Sequence, residues 1–307
     1  MKKNVIVLAG GERSSEREIS LRSGRLVYAS LLKNFRAELI IYDRDELPDG
    51  MAGRRDAIIF PMTPGEFGED GGLQALMDDA GLCYVGSGKE ASALCMNKCA
   101  AKKVVADSGV PIVGGVRFFV RGGKAVGLDA SHLSGDYVLK PNDRGSSIGV
   151  KKINAENIGE AIAEAHDGEF LLETNITGKD LTVGVLDGRA LGIVEILPKH
   201  GFLDYNSKYA VGASDRICPA PIGPEATEKI KTYSEIAYRR CGCRDWARVD
   251  FMIDDFGNVF FLEINTLPGM AQLSFYPLSA AAAGISYDDL LVKLVNLAAL
   301  RSGMPHE

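Results

Sequence analysis

Histidine, cysteine and tryptophan are scarce in this chain, with four, six and one among 307 residues. The histidines (His132, His166, His200 and His306) fall in scattered, turn-like or terminal places, so spacing assembles no metal cluster or Ser-His-Asp set around them. The cysteines (Cys83, Cys95, Cys99, Cys218, Cys241 and Cys243) lack metal-ligand spacing and sit mostly in apolar or helical surroundings. In a chain of this length they read as reduced, buried thiols of a cytoplasmic protein. No stretch approaches the roughly 18 to 20 apolar residues of a membrane span. The run Val5 to Leu8 behind Met1-Lys2-Lys3-Asn4 is too short for a signal peptide, and Gly10-Gly11 breaks it. Long basic tracts are also missing. A net charge of −6 and a pI near 5.4 argue against a nucleic-acid surface and against anionic membrane. The short runs Lys102-Lys103 and Lys151-Lys152 read as solvated surface. Gly10-Gly11 lacks the third glycine of a dinucleotide fingerprint, which speaks against a nicotinamide-dependent oxidoreductase.

What is present is ordinary for a soluble enzyme: 46% hydrophobic and 25% charged residues, enough for a core without staples. Length suggests two or three domains, and there are no internal repeats. Val5 to Leu8 reads as a parallel core strand that enters Gly10-Gly11 and a helix from about Ser15 to Leu32. Ser15 and Glu18 have capping-box spacing there, and Glu16 is either a helix-dipole partner or a carboxylate free for ligand. Strands near Glu38 to Tyr42 and Ala57 to Phe60, a helix near Gly72 to Ala80, and Tyr84-Val85 complete a small doubly wound sheet. Pro64 to Gly72 is a glycine-rich acidic loop on its rim. A long helix is expected from Lys89 to Ser108, stopped by Gly109 and Pro111. It carries Lys98, which at this level could equally be a solvated face residue. Strands near Val116 to Val120 and Tyr137 to Lys140 follow. The second opens into Lys140-Pro-Asn-Asp-Arg-Gly-Ser-Ser-Ile-Gly149. A lysine at a strand end before a Gly/Ser loop suits a phosphate clamp, with an ordinary strand-to-helix loop as the alternative. Helix Ala155 to His166, strands Glu169 to Glu173, Asp180 to Leu186 and Ala190 to Leu197, and an irregular polar loop over 198–213 come next. Such a loop inside a compact domain suits a lid. Helix Glu225 to Cys241 and a last helix from Tyr287 to Arg301 frame the segment that organises the rest.

That segment is Arg248 to Met270. Two apolar runs flank Asp254-Asp255-Phe256-Gly257-Asn258, a polar turn, so it reads as an antiparallel hairpin. A two- or four-residue loop sets Asp250 opposite Glu263 and Arg248 opposite Asn265. Strand alternation then gives one face two carboxylates, an amide and a guanidinium, while Val249, Phe251, Leu262 and Ile264 take the other. Opposed like charges destabilise an antiparallel pair unless a cation lies between them. Oxygen ligands without histidine or cysteine suit Mg²⁺ or Mn²⁺ rather than zinc. A solvated polar face is the alternative. Arg248 beside the acids and Pro268-Gly269 just beyond Asn265 favour the metal site.

With these pieces placed, the chain resembles the ATP-grasp superfamily and, within it, the D-alanine–D-alanine ligase family. The resemblance rests on Gly10 to Leu21, Gly68 to Leu73, Tyr84 to Lys98, Lys140 to Gly149, Asp204 to Tyr209 and Arg248 to Met270, in order and over nearly the full length. It implies an α/β ATP-grasp fold of three domains: 1–88 substrate-binding, 89–176 central, and 177–307 C-terminal with the lid. It implies an ADP-forming ligase that joins two D-alanines through a D-alanyl phosphate and supplies peptidoglycan synthesis. ATP would be the co-substrate, with Mg²⁺ or Mn²⁺ (two ions), in a cytoplasmic homodimer. Carried over by position, Lys98 and Lys140 hold phosphates, Glu173 and the Ile176 backbone meet adenine, and Asp180 takes the ribose. Phe202, Met252 and Leu262 wall the base, and Asp250, Glu263 and Asn265 ligate metal. Arg248 and the Gly269 amide face the oxyanion. Glu16 would bind the first substrate's ammonium, with Ser146 and Tyr209 in a hydrogen-bonded set that closes the lid; Ser274 would hold the second substrate's carboxylate, with Phe275 near the acceptor subsite and Lys208 also binding substrate. The sequence departs from the family pattern at Pro64 (usually histidine), Thr174 (usually lysine) and Phe275 (usually leucine). The first and third fall near the acceptor subsite, so a related ligase using D-serine, D-lactate or another amino acid is the alternative.

Overall fold

A strand with no polar residue has no face to offer to water, and Val5 to Ala9 are at most 1% exposed in the middle of a parallel sheet. The computed structural model describes residues 2–11, 16–129, 133–145, 147–198, 214–272 and 274–303. Strands β1 (Asn4–Gly10), β2 (Arg36–Tyr42), β3 (Ala57–Met62) and β4 (Cys83–Tyr84) run in the order β2-β1-β3-β4, all parallel. Helix α1 (Arg17–Leu31) covers one face, and α2 (Gly72–Asp79) lies on the other with Leu73 and Met77 in its core. Helix α1 starts from Glu16 as N-cap, without a side-chain cap bond; the expected cap, Ser15, lies outside the described residues.

The expected helix over 89–108 is two helices, α3 (Lys89–Met96) and α4 (Lys98–Ala106). Asn97 breaks it with extended backbone (φ −82°, ψ 97°), and its side chain accepts the Ala100 N–H at 2.9 Å. Asparagine favours such a cap because its oxygen replaces the missing intrahelical acceptor. The break makes Lys98 the first residue of a helix rather than a mid-face residue.

Two antiparallel sheets follow. One has the order β6-β5-β9-β7-β8, from β5 (Gly115–Arg121), β6 (Lys124–Val126), β7 (Asp136–Pro141), β8 (Lys151–Asn154) and β9 (Gly168–Thr174). Its helix α5 spans only Ile158–Ala163, shorter than expected. The other has the order β12-β11-β10-β13-β14, from β10 (Gly178–Leu186), β11 (Arg189–Pro198), β12 (Ser214–Ile217), β13 (Trp246–Asp254) and β14 (Val259–Asn265). Helix α6 (Pro224–Arg240) backs it with Ile230, Ala237 and Tyr238, while α7 (Phe275–Ala282) crosses the opposite face. Gly184 and Gly192 let α7 in. A Cβ on Gly192 would stand 2.5 Å from that of Ala282, and Ser279 Oγ accepts the Gly184 N–H at 2.9 Å. Strands β6, β8 and β12 and helix α7 carry no signal strong enough to expect from sequence; α7 in particular has a Phe-Tyr-Pro start and ends on three alanines.

The last helix, α8 (Tyr287–Arg301), returns to the first sheet. Leu290, Leu291, Leu294, Val295 and Ala298 enter the core of Val5, Val7, Val27 and Phe60. One buried carboxylate ties this junction. Asp245, at φ +60°, accepts the Gly86 N–H at 2.7 Å and Arg301 Nη2 at 3.1 Å; Arg301 also donates to Tyr84 O at 2.7 Å. Trp246 beside it is fully buried edge-on to Phe60 and Tyr276. Asp245→Ala removes a buried acceptor and places a Cβ residue without a local side-chain bond in left-handed backbone. It is expected to cost about 3 kcal/mol in urea unfolding. Asp245→Asn, which tolerates the backbone and keeps one acceptor, should cost less than half of that.

Candidate active site

The hairpin delivers the expected pairs by an unexpected route. Asp254 and Asn258 close a three-residue loop with Gly257 at φ +85°, so Ile253, Met252 and Phe251 pair with Val259, Phe260 and Phe261. A bulge at Leu262 then adds one residue to β14. Asp250 consequently faces Glu263 and Arg248 faces Asn265. The bulge also corrects the faces: Phe261, not Leu262, joins Val249, Phe251 and Ile264 in the core, and Leu262 turns to the cleft beside Glu263.

Each opposed acid is answered by a cation. Arg248 grips Asp250 through two hydrogen bonds of 2.9 Å, and Thr182 on β10 donates to the same carboxylate at 2.6 Å. Lys98 Nζ lies 3.4 Å from Glu263 Oε2 and donates to the carbonyl of Arg144. Asn265 Oδ1 accepts the Leu267 N–H at 2.9 Å, which fixes the amide. A charge-assisted fork between Arg248 and Asp250 is strong because both partners are buried. Two carboxylates and an amide oxygen on adjoining positions form an all-oxygen donor set, which fits a hard divalent ion.

Between the two antiparallel sheets lies a cleft of about 330 Å³, within the size range of small-molecule sites. Lys98, Lys140, Glu173, Ile176, Asp180, Asp250, Met252, Leu262 and Glu263 all line it. Lys140 Nζ meets Glu173 Oε2 at 2.5 Å, and Lys102 holds the other oxygen. Lys102 was expected on the surface. It is 4% exposed, one helical turn beyond Lys98 on the same face of α4; that i,i+4 spacing was the available signal. Burial pulls the Lys102 ammonium down to about 7, helped by Lys140 and opposed by Glu173. Burial alone would raise the Glu173 carboxyl, but the two lysines hold it below its ordinary value. Thr182 and Glu195, a buried carboxylate met by Lys179 at 3.1 Å, were also not foreseen. Of the run Lys151-Lys152, Lys151 pairs on the surface with Glu164 at 2.5 Å, while Lys152 borders the cleft.

A second acidic group sits at the carboxyl end of the parallel sheet. Glu16 is 3% exposed, and a Cβ on Gly145 would lie 3.5 Å from its Oε2, so it reaches the loop after Lys140. Glu69, in the acidic loop, accepts the Gly65 N–H at 3.2 Å. Burial pushes its carboxyl up to about 8, with Glu16 and Glu263 adding to the rise and Arg248 opposing it. Gly269 lies against Ser274, and its loop is pinned by Ser23 Oγ at 3.4 Å to Met270 N and by Tyr287 Oη at 2.8 Å to Met270 O. Phe275 is buried on Val194 and Ile196 and faces guanidinium groups rather than open space. Ser146, Phe202, Lys208, Tyr209 and nearly all of the 198–213 segment lie outside the described residues.

The family profile described as "D-ala D-ala ligase C-terminus" matches residues 130–296. The D-alanine–D-alanine ligase of Citrifermentans bemidjiense is 40% identical over 98% of this chain and 97% of its own length. That of Geotalea uraniireducens is 39% identical over 97% and 96%. Among solved structures, the D-alanine–D-alanine ligase from Bacillus anthracis complexed with ATP superposes with a TM-score of 0.82 at 28% identity, covering 99% of each chain. The VanG D-Ala:D-Ser ligase from Enterococcus faecalis gives 0.81 at 27%, covering 97% of this chain and all of that one.

The raised Glu69 carboxyl has a measurable consequence. The folded state holds its proton from about pH 4.5 to about 8, where an unfolded glutamate has lost it. Stability from this group is therefore full below pH 4.5 and is lost as pH rises through 8. Glu69→Gln should flatten that slope, gaining on the order of 2 kcal/mol relative to the parent between pH 6 and 9 in urea melts. Parallel curves would show that Glu69 does not hold the proton.

Proposed function

Because this chain belongs to the D-alanine–D-alanine ligase family, we propose that it uses ATP to join two D-alanines, releasing ADP and phosphate. The observation that carries the proposal is the single cleft in which Lys98, Lys140, Asp250 and Glu263 converge, with Arg248 behind them. In this reading the first D-alanine carboxylate attacks the γ-phosphorus and ADP departs. The amine of the second then attacks the acyl carbon, loses its proton, and expels phosphate. Phosphoryl transfer of this kind needs position and charge neutralisation rather than a covalent nucleophile.

The residues divide that work. Lys98 and Lys140 neutralise phosphate oxygens. Glu173 accepts the adenine amino group beside the Ile176 backbone, Asp180 takes the ribose, and Met252 and Leu262 cover the base. Lys102 stays on Glu173 when Lys140 turns to a phosphate, so the carboxylate remains ionised. Thr174, on the exposed side of Glu173, supplies no cation here. Asp250, Glu263 and Asn265 would hold Mg²⁺ or Mn²⁺, two ions, which when bound would offset phosphate charge. Arg248 and the Gly269 N–H are aimed at the tetrahedral oxyanion, where preorganised donors contribute most. Glu16 receives the first ammonium and Ser274 the second carboxylate. We further assign the domains as 1–88, 89–176 and 177–307, the protein as a cytoplasmic homodimer, and its product to peptidoglycan synthesis. No described helix is long and apolar enough to cross a membrane.

ADP release tests the reading. D-alanine alone should support turnover, and D-alanine paired with D-serine or D-lactate should be slower. Faster turnover with one of those acceptors would move the assignment to that ligase, and no ADP with any pairing would reject it. Arg248→Lys keeps the charge but loses the fork, so kcat should fall roughly a hundredfold with the KM for ATP nearly unchanged.

A further inference from the structure

The end of α6 holds two sulfurs against a third. Cys241 is the C-cap, and Gly242 follows in left-handed backbone (φ +71°). The Cys243 N–H returns to Tyr238 O at 3.0 Å and the Gly242 N–H to Arg239 O at 3.2 Å. That double closure fixes Cys243 relative to the helix, with glycine at the position where a side chain would be strained. Helix α3 packs on this turn. A Cβ on Gly242 would lie 3.8 Å from that of Ala91, and one helical turn along the same face Cys95 Sγ lies 3.7 Å from Cys243 Sγ. Cys95 also hydrogen-bonds Cys241. These contacts and burial hold the Cys95 thiol well above its ordinary range, while the bond to Cys95 pulls Cys241 below it.

The sulfurs differ in access. Cys243 forms part of the wall of a surface cavity of about 540 Å³, with Tyr238, Arg244, Leu297 and Arg301 beside it, and Cys95 lies behind that wall. Thiol oxidation follows access, so a small oxidant meets Cys243 first and a second thiol stands ready to resolve the product. Disulfide sulfurs lie about 2.05 Å apart, so closure draws this pair about 1.7 Å nearer. We propose that Cys95 and Cys243 are a reversible thiol–disulfide site, oxidised by peroxide through that cavity. The Cys243 sulfur attacks one peroxide oxygen, the O–O bond breaks, and the thiol proton leaves with the other oxygen as water, giving a sulfenic acid. The Cys95 sulfur then attacks the Cys243 sulfur, the S–O bond breaks, and the Cys95 proton leaves with the hydroxyl as a second water. Two electrons pass from the thiols to the peroxide. Cys95 stands two residues before the Asn97 break, and Lys98 follows it. Drawing Cys95 toward Cys243 therefore moves the segment that brings Lys98 to Glu263, and on the ligase reading above oxidation slows turnover.

Peptide mapping of the unsubstituted full-length chain decides the chemistry. Reduced protein is treated with hydrogen peroxide, its remaining thiols are blocked in denaturant, and a non-reducing digest is analysed by mass spectrometry. One linked pair of peptides carrying Cys95 and Cys243, absent after dithiothreitol, is the expected product. Sulfinic or sulfonic acid at Cys243 without a link, a link from Cys95 to Cys241, or both thiols still reduced where glutathione is fully oxidised would each overturn the proposal. In the turnover arm kcat should fall roughly tenfold on oxidation, because a shift of about 1 Å at a positioning group is enough, and dithiothreitol should restore it. Cys95→Ser should keep its activity in the same peroxide, and Cys241→Ser should respond as the parent does. A linked protein that turns over at the unlinked rate would overturn the coupling to Lys98. Reduced protein that releases no ADP would instead bring down the ligase reading, and the peptide map would still decide the disulfide.

Discussion

Two carboxylates on neighbouring strands repel each other unless something positive answers them, and this fold is arranged around answering Asp250 and Glu263. They stand as direct cross-strand partners. Left alone, such a pair destabilises the hairpin, and slipping the register by one residue gives no relief because it would turn one of the acids into the apolar core. Arg248 is recruited from the same strand, two residues away, so it shares the face of Asp250 by alternation alone. Lys98 comes from a different sheet neighbourhood, and only the break at Asn97 brings it to Glu263. One acid is therefore neutralised locally and the other across the cleft. The second arrangement makes cleft geometry part of hairpin stability.

The same logic repeats around Glu173. One buried carboxylate is shared by Lys102 and Lys140, and the pair of ammonium groups costs more to bury than one acid can offset. The burden falls on Lys102, whose pKa drops toward neutrality, while Lys140 sits at the rim of the cleft. A site with Lys98 and Lys140 on the wall of the cleft offers two ammonium groups to a ligand. Polyanionic phosphate suits it, and nothing in its chemistry calls for a nucleophile.

Much of this was legible in the sequence, though not always for the right reason. The pairing of Asp250 with Glu263 was read from a two- or four-residue loop. The chain uses a three-residue loop and then inserts a bulge at Leu262, and the two departures cancel before the acids are reached. Hydrophobic alternation cannot reveal a bulge flanked by Phe261 and Leu262, since either residue would serve as core. The parallel sheet was plain because Val5 to Ala9 and Ala57 to Met62 have no polar face. Resemblance, not pattern, pointed to Lys98 as a cleft residue; pattern alone made one helix of 89–108, because a single asparagine is a weak stop signal without its cap bond in view. Lys102 was misread as surface because adjacent lysines resemble a solvated run, when only one of the two faces outward. The resemblance set Phe275 near the acceptor subsite, beside Ser274. The guanidinium groups on its ring come from residues 27 and 59 positions away in sequence, a juxtaposition that no local pattern encodes.

Burial shifts two groups here in directions that partly conceal each other. Glu69 keeps its proton to about pH 8, so its contribution to stability declines as pH rises from 4.5. Lys102 loses its proton near 7 in the fold but near 10.5 when unfolded, so its contribution rises with pH above 7. Between pH 7 and 8 the two slopes oppose, and the whole protein should show less pH dependence than either group imposes. A flat stability profile across neutrality would thus not mean that the site lacks perturbed groups. It is what a fold with a buried acid in the loop at Gly65 and a buried base beside Glu173 should give, and only variants that remove one at a time separate them.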